Sequence, residues 1–437
     1  MVSSGQGVET FAKVGEFDHI GYSEVFSGFV RLGFDNRARM LVDFLAKSFK
    51  VQEAKRAALI DVVPNWEHLP RNQGKISYPN KSRLMRFLNF QGKLMIHPLG
   101  AVALVVSMGA TAEVFSNTSG NDRYANLDTD RYLGEVRREV ELSGDPIFTE
   151  GPAVDREGRV FFTNIRKNEI FIWDAPMRRL TTFTRESQAT NGLRFTPEGD
   201  LIACQGGAGR LIRFDGQTGE MTVLAERFGG KRLQSPNDTD YDRHGRIYFS
   251  SRTGNVDMDT TNKKSLYRAD PDGSIHQLLT EPEIHMPNGV VVSPDGNTLY
   301  VIEADGGDER NRNILAFDLA EDGSISNRRV LIDLYPGRSG DGMCIDVVGN
   351  LYVAAGLHDR RGTSETLDTR PGIHVISPKG EILAFRKTPV DTITNCTFGG
   401  PDLRTLYVTC GPYLLSIRTE ISGKPSYLPS KTSPGLR

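Results

Sequence analysis

A repeated polar position constrains this chain more than any other feature of its sequence. Between residues 150 and 395, a carboxylate or amide side chain opens a short strand-like segment six times: Glu150, Asn191, Asn237, Asn288, Asp341 and Asn395. We call these six residues the openers. They are 41, 46, 51, 53 and 54 residues apart, and a glycine follows eight residues after each of the first five. A supersecondary unit repeated at this period is typical of a propeller blade or a solenoid turn.

Each repeat contains the pattern of two hairpins. After the opener come a strand, a tight turn with glycine and a second β-rich run, and a further hairpin such as residues 266–279 completes the unit. Four strands in each of six units predict an all-β protein, a six-bladed β-propeller over residues 141–420. An open solenoid such as a β-helix is the alternative, but it does not need to bring one polar side chain per turn to a shared point. In a propeller the equivalent positions of all blades face one axis.

The segments outside the repeats differ from them. Residues 1–94 show no repeat, and we expect this N-terminal segment of uncertain structure to be absent from the mature protein. Residues 95–112 combine an apolar run with Ala-Thr-Ala after a basic flank, which resembles a signal peptide and predicts export to the periplasm or the cell exterior. If the run is instead a buried strand or helix, we expect a cytoplasmic protein. Sequencing the mature N-terminus distinguishes the two. Residues 113–140 are then a lead-in, and residues 421–437 a C-terminal tail.

Charge and cysteine content exclude several functions. The net charge of −2 gives no electrostatic footprint for nucleic acid. The apolar run Leu99–Met108 is too short to span a bilayer, so no membrane anchor is expected in the mature form. The four cysteines have no C-x-x-C spacing, which argues against a structural zinc site. We expect buried thiols, with a disulfide between Cys396 and Cys410 across one hairpin as the alternative.

The residue types of the openers indicate a cation. A single Asp or Asn before a strand is usually a turn residue that bonds its own backbone, and we interpret Asp240, Asp242, Asp272 and Asp295 in this way. Turn chemistry does not explain why two of the six openers are carboxylates among four amides. Such a mixed set of hard oxygen ligands suits Ca²⁺ or Mg²⁺, and accepts Zn²⁺ or Mn²⁺.

Several motifs resemble a known family. They are TEGP at 149–152, KRLQSPND at 231–238, MPNG at 286–289, GDGM at 340–343 and TNCTFGGPDLRTLYVT at 394–409. They resemble the gluconolactonase, regucalcin and luciferin-regenerating enzyme family, the bacterial gluconolactonases above all, over about residues 140–420. The resemblance implies a six-bladed propeller with one divalent ion at the axis, for which Ca²⁺ is preferred. It implies that Glu150, Asn288 and Asp341 hold the ion, that Asn237 contacts substrate or water, and that Asp341 is the catalytic base.

The expected function is therefore hydrolysis of a sugar lactone. A bound ion would polarise the lactone carbonyl while Asp341 activates water, and Asn237, Asn191 and Arg252 would contact the substrate. No G-x-S-x-G motif for a serine nucleophile is present. A non-catalytic propeller that binds metal, sugar or a protein, and a related hydrolase of phosphoesters or other lactones, are the alternatives. Polar insertions at 252–264, 305–312 and 357–370 are expected to roof the site. Ser235 departs from family members that carry arginine there.

Overall fold

The computed structural model describes residues 122–252 and 261–425. The N-terminal segment 1–94 and the signal-like segment 95–112 lie outside the described residues, as do 253–260 of the first insertion and 426–437 of the tail. Two short 3-10 helices, Thr129–Arg131 and Ile165–Lys167, accompany the strands. No helix within the described ranges has the length and apolar character needed to cross a membrane.

The strands form six antiparallel sheets of four, which confirms the predicted six-bladed propeller. Blade 1 contains β2 (Thr149–Val154), β3 (Val160–Asn164), β4 (Glu169–Asp174) and β5 (Arg179–Thr184). Blade 2 contains β6 (Thr190–Phe195), β7 (Leu201–Gln205), β8 (Arg210–Phe214) and β9 (Met221–Ala225). Blade 3 contains β12 (Ser235–Tyr241), β13 (Ile247–Arg252), β14 (Ser265–Ala269) and β15 (Ile275–Thr280), preceded by a ribbon of β10 (Arg227–Phe228) and β11 (Lys231–Arg232).

The last three blades follow the same order. Blade 4 contains β16 (Pro287–Val292), β17 (Thr298–Ala304), β18 (Arg312–Leu319) and β19 (Ile325–Asp333). Blade 5 contains β20 (Gly340–Ile345), β21 (Leu351–Ala355), β22 (Gly372–Ile376) and β23 (Ile382–Lys387). Blade 6 contains β24 (Ile393–Gly399), β25 (Thr405–Cys410), β26 (Tyr413–Thr419) and, as its outermost strand, β1 (Leu133–Glu141).

Strand β1 closes the ring. It pairs antiparallel with β26, so the sheet that ends the repeats takes its fourth strand from residues that we predicted as a lead-in. The innermost strands β2, β6, β12, β16, β20 and β24 contact one another in this order, and β24 contacts β2. The six blades therefore surround one central axis.

The turn glycines behave as the repeat predicts. Gly158, Gly199, Gly245, Gly296 and Gly349 all have positive φ, between 75° and 100°. Each lies in the hairpin that joins the first and second strands of its blade, where glycine adopts this backbone conformation without the strain a side chain would add.

The hydrophobic core lies between the blades. Six clusters of buried side chains form it, and each cluster is built from two neighbouring blades. All four cysteines are buried and free, in line with the expected buried thiols. Cys410 pairs with Ile393 rather than Cys396, whose sulfur lies 3.4 Å from that of Cys344 in blade 5.

Candidate functional site

All six openers lie at the start of an innermost strand. Each is the second or third residue of β2, β6, β12, β16, β20 or β24, so the six lie at the same end of the axis. In every blade the pairing of the first two strands is interrupted by a bulge at or beside the opener. A β-bulge bends a strand and changes the direction of a side chain, and here it recurs where each opener meets the axis.

The residue after the opener is a glycine in four of the six blades, because neighbouring inner strands approach closely there. A Cβ on Gly151 would lie 2.1 Å from the carbonyl oxygen of Asn191, and one on Gly342 would lie 2.1 Å from Cγ of Asn395. Blade 3 has Asp238 at this position and blade 6 has Cys396.

Two of the three residues expected to hold an ion are joined by a hydrogen bond. Asn288 donates from Nδ2 to Oδ1 of Asp341 over 2.5 Å, and both side chains are buried. Glu150 is buried as well, and its Oε2 accepts a hydrogen bond from the Gly151 amide over 3.0 Å. Burial, followed by repulsion from Asp341, raises the pKa of the Glu150 carboxyl well above its usual value.

Two arginines flank Asp341. Nη2 of Arg338 lies 2.6 Å from Oδ2 of Asp341, and Nη1 of Arg252 lies 3.5 Å from Oδ1. Arg252 was expected at the site from the sequence, whereas Arg338 was missed. The signal for Arg338 was weak, because an arginine three residues before an opener is unique to blade 5 and belongs to no repeated pattern.

The remaining openers surround this group. Asn191 is buried, and its Oδ1 accepts no hydrogen bond from the residues that the structure describes. Asn237 is half-buried. Asn395 is buried and donates from Nδ2 to Oδ2 of Asp238 over 3.1 Å. The structure therefore lines the axis with Asn395 as well as with the two amides expected to contact substrate.

Asp238 is the second residue that sequence reasoning missed. Its carboxylate is buried, and the Thr239 amide donates to Oδ1 over 3.0 Å. Burial raises the pKa of Asp238 from its ordinary value of 3.8 to about 7. The signal was present, since an acidic side chain replaces the glycine that follows most openers.

Asp240 is not the turn residue we predicted. Its carboxylate is buried and lies 3.0 Å from Nε of Arg194 and 3.0 Å from Nζ of Lys424. Burial opposes its ionisation, but the two cations outweigh burial and hold the pKa of Asp240 below its usual value. The prediction was wrong because both cations come from distant parts of the chain. Asp242 does bond its own turn, accepting from the amides of His244 and Arg246.

Lys424 lies on the axis at the end away from the openers. Its Nζ also donates to the carbonyl of Val292 over 2.8 Å. Val292 and Asp240 stand four and three residues beyond the openers of their strands, which is about 10 to 13 Å along an extended chain. A small polar cavity between the two ends is lined by residues including Arg194, Asp238 and Asn395.

The loops that follow the second strands lie on the opener face. The pairs Ser235 with Arg252, Pro287 with Glu303 and Gly340 with Ala355 place the end of each second strand beside the start of the first. The predicted roof insertions leave from these strand ends. In blades 4 and 5 they are joined by Arg312, which is fully buried and donates to the carbonyls of Asp305 and Gly307 in one insertion and to the hydroxyl of Ser364 in the other.

The donor set fits a divalent cation. Two buried carboxylates repel each other there, and Oδ1 of Asn191 is a buried acceptor that no group within residues 122–252 and 261–425 satisfies. An amide such as that of Asn288 offers an oxygen when turned over, because its two ends are nearly equal in size. Across residues 122–252 and 261–425 no three His, Cys, Asp or Glu side chains cluster as a metal site would require, so an ion needs amide or water oxygens in addition.

Comparison with known proteins identifies the family to which the chain is similar. Residues 148–411 match the family described as SMP-30/Gluconolactonase/LRE-like region. The gluconolactonase of Zymomonas mobilis is 28% identical over 360 residues, which cover 75% of this chain and 95% of that protein. Regucalcin of Xenopus laevis is 27% identical over 278 residues, which cover 63% of this chain and 84% of that protein.

A solved structure gives the same answer. A gluconolactonase from Xanthomonas campestris is similar with a TM-score of 0.56 at 26% identity, over 66% of this chain and 91% of that chain. The family match covers more than half of the chain and includes all six openers. The chain therefore belongs to the SMP-30/Gluconolactonase/LRE-like family.

Proposed function

We propose that this protein is a metal-dependent lactone hydrolase that acts on a sugar lactone. The observation that carries the proposal is the pair of buried carboxylates, Glu150 and Asp341, at the opener end of the axis. Arg252 and Arg338 form ion pairs with Asp341. None of the described residues forms one with Glu150, so burying this repelled carboxylate costs stability unless a further cation compensates for it. Similarity to gluconolactonases supports the choice of substrate, for which glucono-1,5-lactone is the test compound.

Glu150, Asn288 and Asp341 would hold the ion. Their carboxylate and amide oxygens favour Ca²⁺, and Zn²⁺, Mg²⁺ or Mn²⁺ are the alternatives. When bound, a divalent ion supplies Lewis acidity that polarises the lactone carbonyl and stabilises negative charge on its oxygen. The two carboxylates would balance the charge of such an ion.

Asp341 is the base in this proposal. Water adds to the lactone carbonyl carbon, the ring C–O bond breaks, and the ring oxygen becomes a hydroxyl. Asp341 accepts a proton as the water adds and returns it to the ring oxygen as the C–O bond breaks. The carboxylic acid so formed then ionises, and the net products are a hydroxy acid anion and a released proton. Arg338 and Arg252 orient the Asp341 carboxylate through the ion pairs they form with it. Asn237 and Asn191 would bind substrate hydroxyls, the latter through an oxygen that has no partner among the described residues.

Proton release from glucono-1,5-lactone tests the proposal. The rate should exceed spontaneous hydrolysis only with a divalent ion present, and chelation should abolish the excess. Asp341→Asn should lower kcat by at least on the order of 100-fold, since general acid–base catalysis contributes about 10²- to 10⁴-fold. Asp242→Asn, which alters a buried carboxylate of a turn, is the control and should retain activity once its folding has been checked.

If wild type, chelated wild type and Asp341→Asn all release protons at the spontaneous rate, the protein is not a lactonase for this substrate. A binding propeller would then be the better interpretation, and calorimetric titration with Ca²⁺ would show whether the site still binds the ion.

A further inference from the structure

Two guanidinium groups occupy the mouth of the proposed site. Arg338 is held in place from two sides, because its Nη1 lies 3.4 Å from the carbonyl oxygen of Gly356 and 3.3 Å from that of Ile393. Its other nitrogen, Nη2, faces Asp341. Arg252 reaches Asp341 from blade 3, two blades away. The side chains of Arg338 and Arg252 are 12% and 25% exposed, so both are largely buried but retain some contact with solvent.

The arginines matter because of the charge at the axis. The described axial groups balance when all of them are ionised: the acids are Glu150, Asp238, Asp240 and Asp341, and the bases are Arg194, Arg252, Arg338 and Lys424. A divalent ion held by Glu150 and Asp341 would leave a surplus of two positive charges. Protonation of any acid would increase this surplus.

The surplus positive charge can be assigned to particular residues. Asp240 lies between Arg194 and Lys424 at the far end of the axis and forms an ion pair with each of them. Asp341 is the partner of both Arg252 and Arg338, and it is also a proposed ligand of the ion. Glu150 and Asp341 together would balance the charge of a divalent ion, which leaves neither of them to compensate for the two guanidinium groups. The uncompensated charge therefore lies on Arg252 and Arg338, beside Asp341.

We propose that the natural substrate is a lactone that carries a free carboxylate in addition to its lactone ester. In this proposal Arg338 and Arg252 bind the free carboxylate and so determine specificity. The inference rests on the proposed lactonase function and names its substrate class. Guanidinium groups match the planar geometry of a carboxylate and can bond it through two nitrogens at once. The two arginines already hold one carboxylate, that of Asp341. A neutral sugar hydroxyl would leave their charge uncompensated.

A matched pair of lactones tests the proposal. Glucaro-1,4-lactone and glucono-1,4-lactone have the same ring and differ in whether carbon 6 is a carboxylate or a hydroxymethyl group. With the full chain loaded with Ca²⁺, kcat/KM should favour glucaro-1,4-lactone by at least on the order of tenfold, the value of one charge-assisted hydrogen bond. 6-Phosphogluconolactone is the third substrate and tests whether a phosphate serves instead.

Substitutions of the two arginines then test whether they cause the preference for glucaro-1,4-lactone. Arg338→Gln and Arg252→Gln should each lower kcat/KM for glucaro-1,4-lactone about 10- to 100-fold more than for glucono-1,4-lactone, mainly through KM. Arg338→Lys should restore part of the selectivity, because it keeps the charge but not the planar fork. Arg418→Gln, whose partner Asp402 lies on the opposite face, is the matched control and should change neither value. Melting temperatures identify any variant that does not fold, and the second arginine then carries the test.

Each outcome has one interpretation. Equal kcat/KM for the two 1,4-lactones would overturn the inference while leaving the lactonase function in place. Equal losses on both lactones in the arginine variants would also overturn it, since the arginines would then only position Asp341. A preference for 6-phosphogluconolactone that the same variants remove would make the substrate a phosphate. If no lactone is hydrolysed faster than in buffer, the proposed function itself is wrong.

Discussion

At the scale of single residues, the position after each opener records how closely the blades approach. Glycine is required at 151 and 342 because any Cβ would overlap the neighbouring strand. Blade 3 departs from this pattern with Asp238, and the result is a third buried carboxylate near Glu150 and Asp341, both of which interact with it electrostatically. A residue that departs from the repeat, such as Asp238, is therefore a candidate for a chemical role, because the fold alone does not require it.

Asp238→Asn should change how stability depends on pH. The pKa of Asp238 rises from 3.8 to about 7 on folding, so the folded state binds this proton more tightly than the unfolded chain. Its contribution to the free energy of unfolding is therefore present below pH 4 and is lost as pH rises towards 7, at about 1.4 kcal/mol for each pH unit in this window. In metal-free wild type, the free energy of unfolding should therefore fall by a few kcal/mol over this window. In metal-free Asp238→Asn this fall should be absent, as measured by urea midpoints at each pH.

Asp272→Asn is the control for this measurement. Asp272 is exposed, and hydrogen bonds from Ser274 hold its pKa below the usual value. Its contribution is present above pH 4 and is lost only as pH falls further. The profile of Asp272→Asn should therefore coincide with that of wild type between pH 5 and 7, and a fall that persists in Asp238→Asn would contradict the assignment.

The sequence supported the prediction of the openers that would hold an ion but not of all their neighbours. Glu150, Asn288 and Asp341 could be predicted because they recur at one position of a repeat and carry the family motifs. Asp240 could not, since its role depends on Arg194 and Lys424, which the fold brings close only in three dimensions. Arg338 lies three residues before Asp341, but no other blade has an arginine at this position, so no repeated pattern pointed to it. A local pattern cannot distinguish a turn carboxylate such as Asp242 from an axial one such as Asp240.

At the scale of elements, the strand that closes the ring is the least visible in the sequence. β1 has no opener and no turn glycine, because an outermost strand neither reaches the axis nor continues into a hairpin of its own blade. It is fixed by pairing with β26 and by Arg386, which donates to the carbonyl of Leu133 over 2.7 Å. Leu133 itself is fully buried in the core cluster between blades 5 and 6.

Leu133→Ala should destabilise the whole ring. Removing this side chain leaves a cavity in a packed core, which costs about 2 to 5 kcal/mol in comparable cases. We expect a lower urea midpoint and faster proteolysis of blade 6. Arg137→Ala changes an exposed residue of the same strand and should leave both unchanged. If Leu133→Ala unfolds like wild type, β1 does not hold the ring closed.

At the scale of the molecule, the proposed ion would join blades that are far apart in sequence. Glu150, Asn288 and Asp341 belong to blades 1, 4 and 5, so an ion they share stabilises the folded ring and not the unfolded chain. Ca²⁺ at 100 times its dissociation constant should add about 2.7 kcal/mol to the free energy of unfolding. We expect a rise in melting temperature of a few degrees that chelation reverses.

Glu150→Gln separates binding from folding. The substitution removes one buried, repelled carboxylate, so the metal-free variant should melt no lower than metal-free wild type. Ca²⁺ should no longer raise its melting temperature. An undiminished rise would mean that the ion binds elsewhere.

The position of Lys424 determines how molecules can travel through this ring. With Arg194 and Asp240 it occupies the end of the axis away from the openers. Because three charged side chains occupy that end, a hydroxy acid formed at the openers would leave by the path that the next lactone needs to enter. Each product molecule would then have to leave before the next lactone binds, and accumulated acid would inhibit the reaction by competing with the lactone for the site.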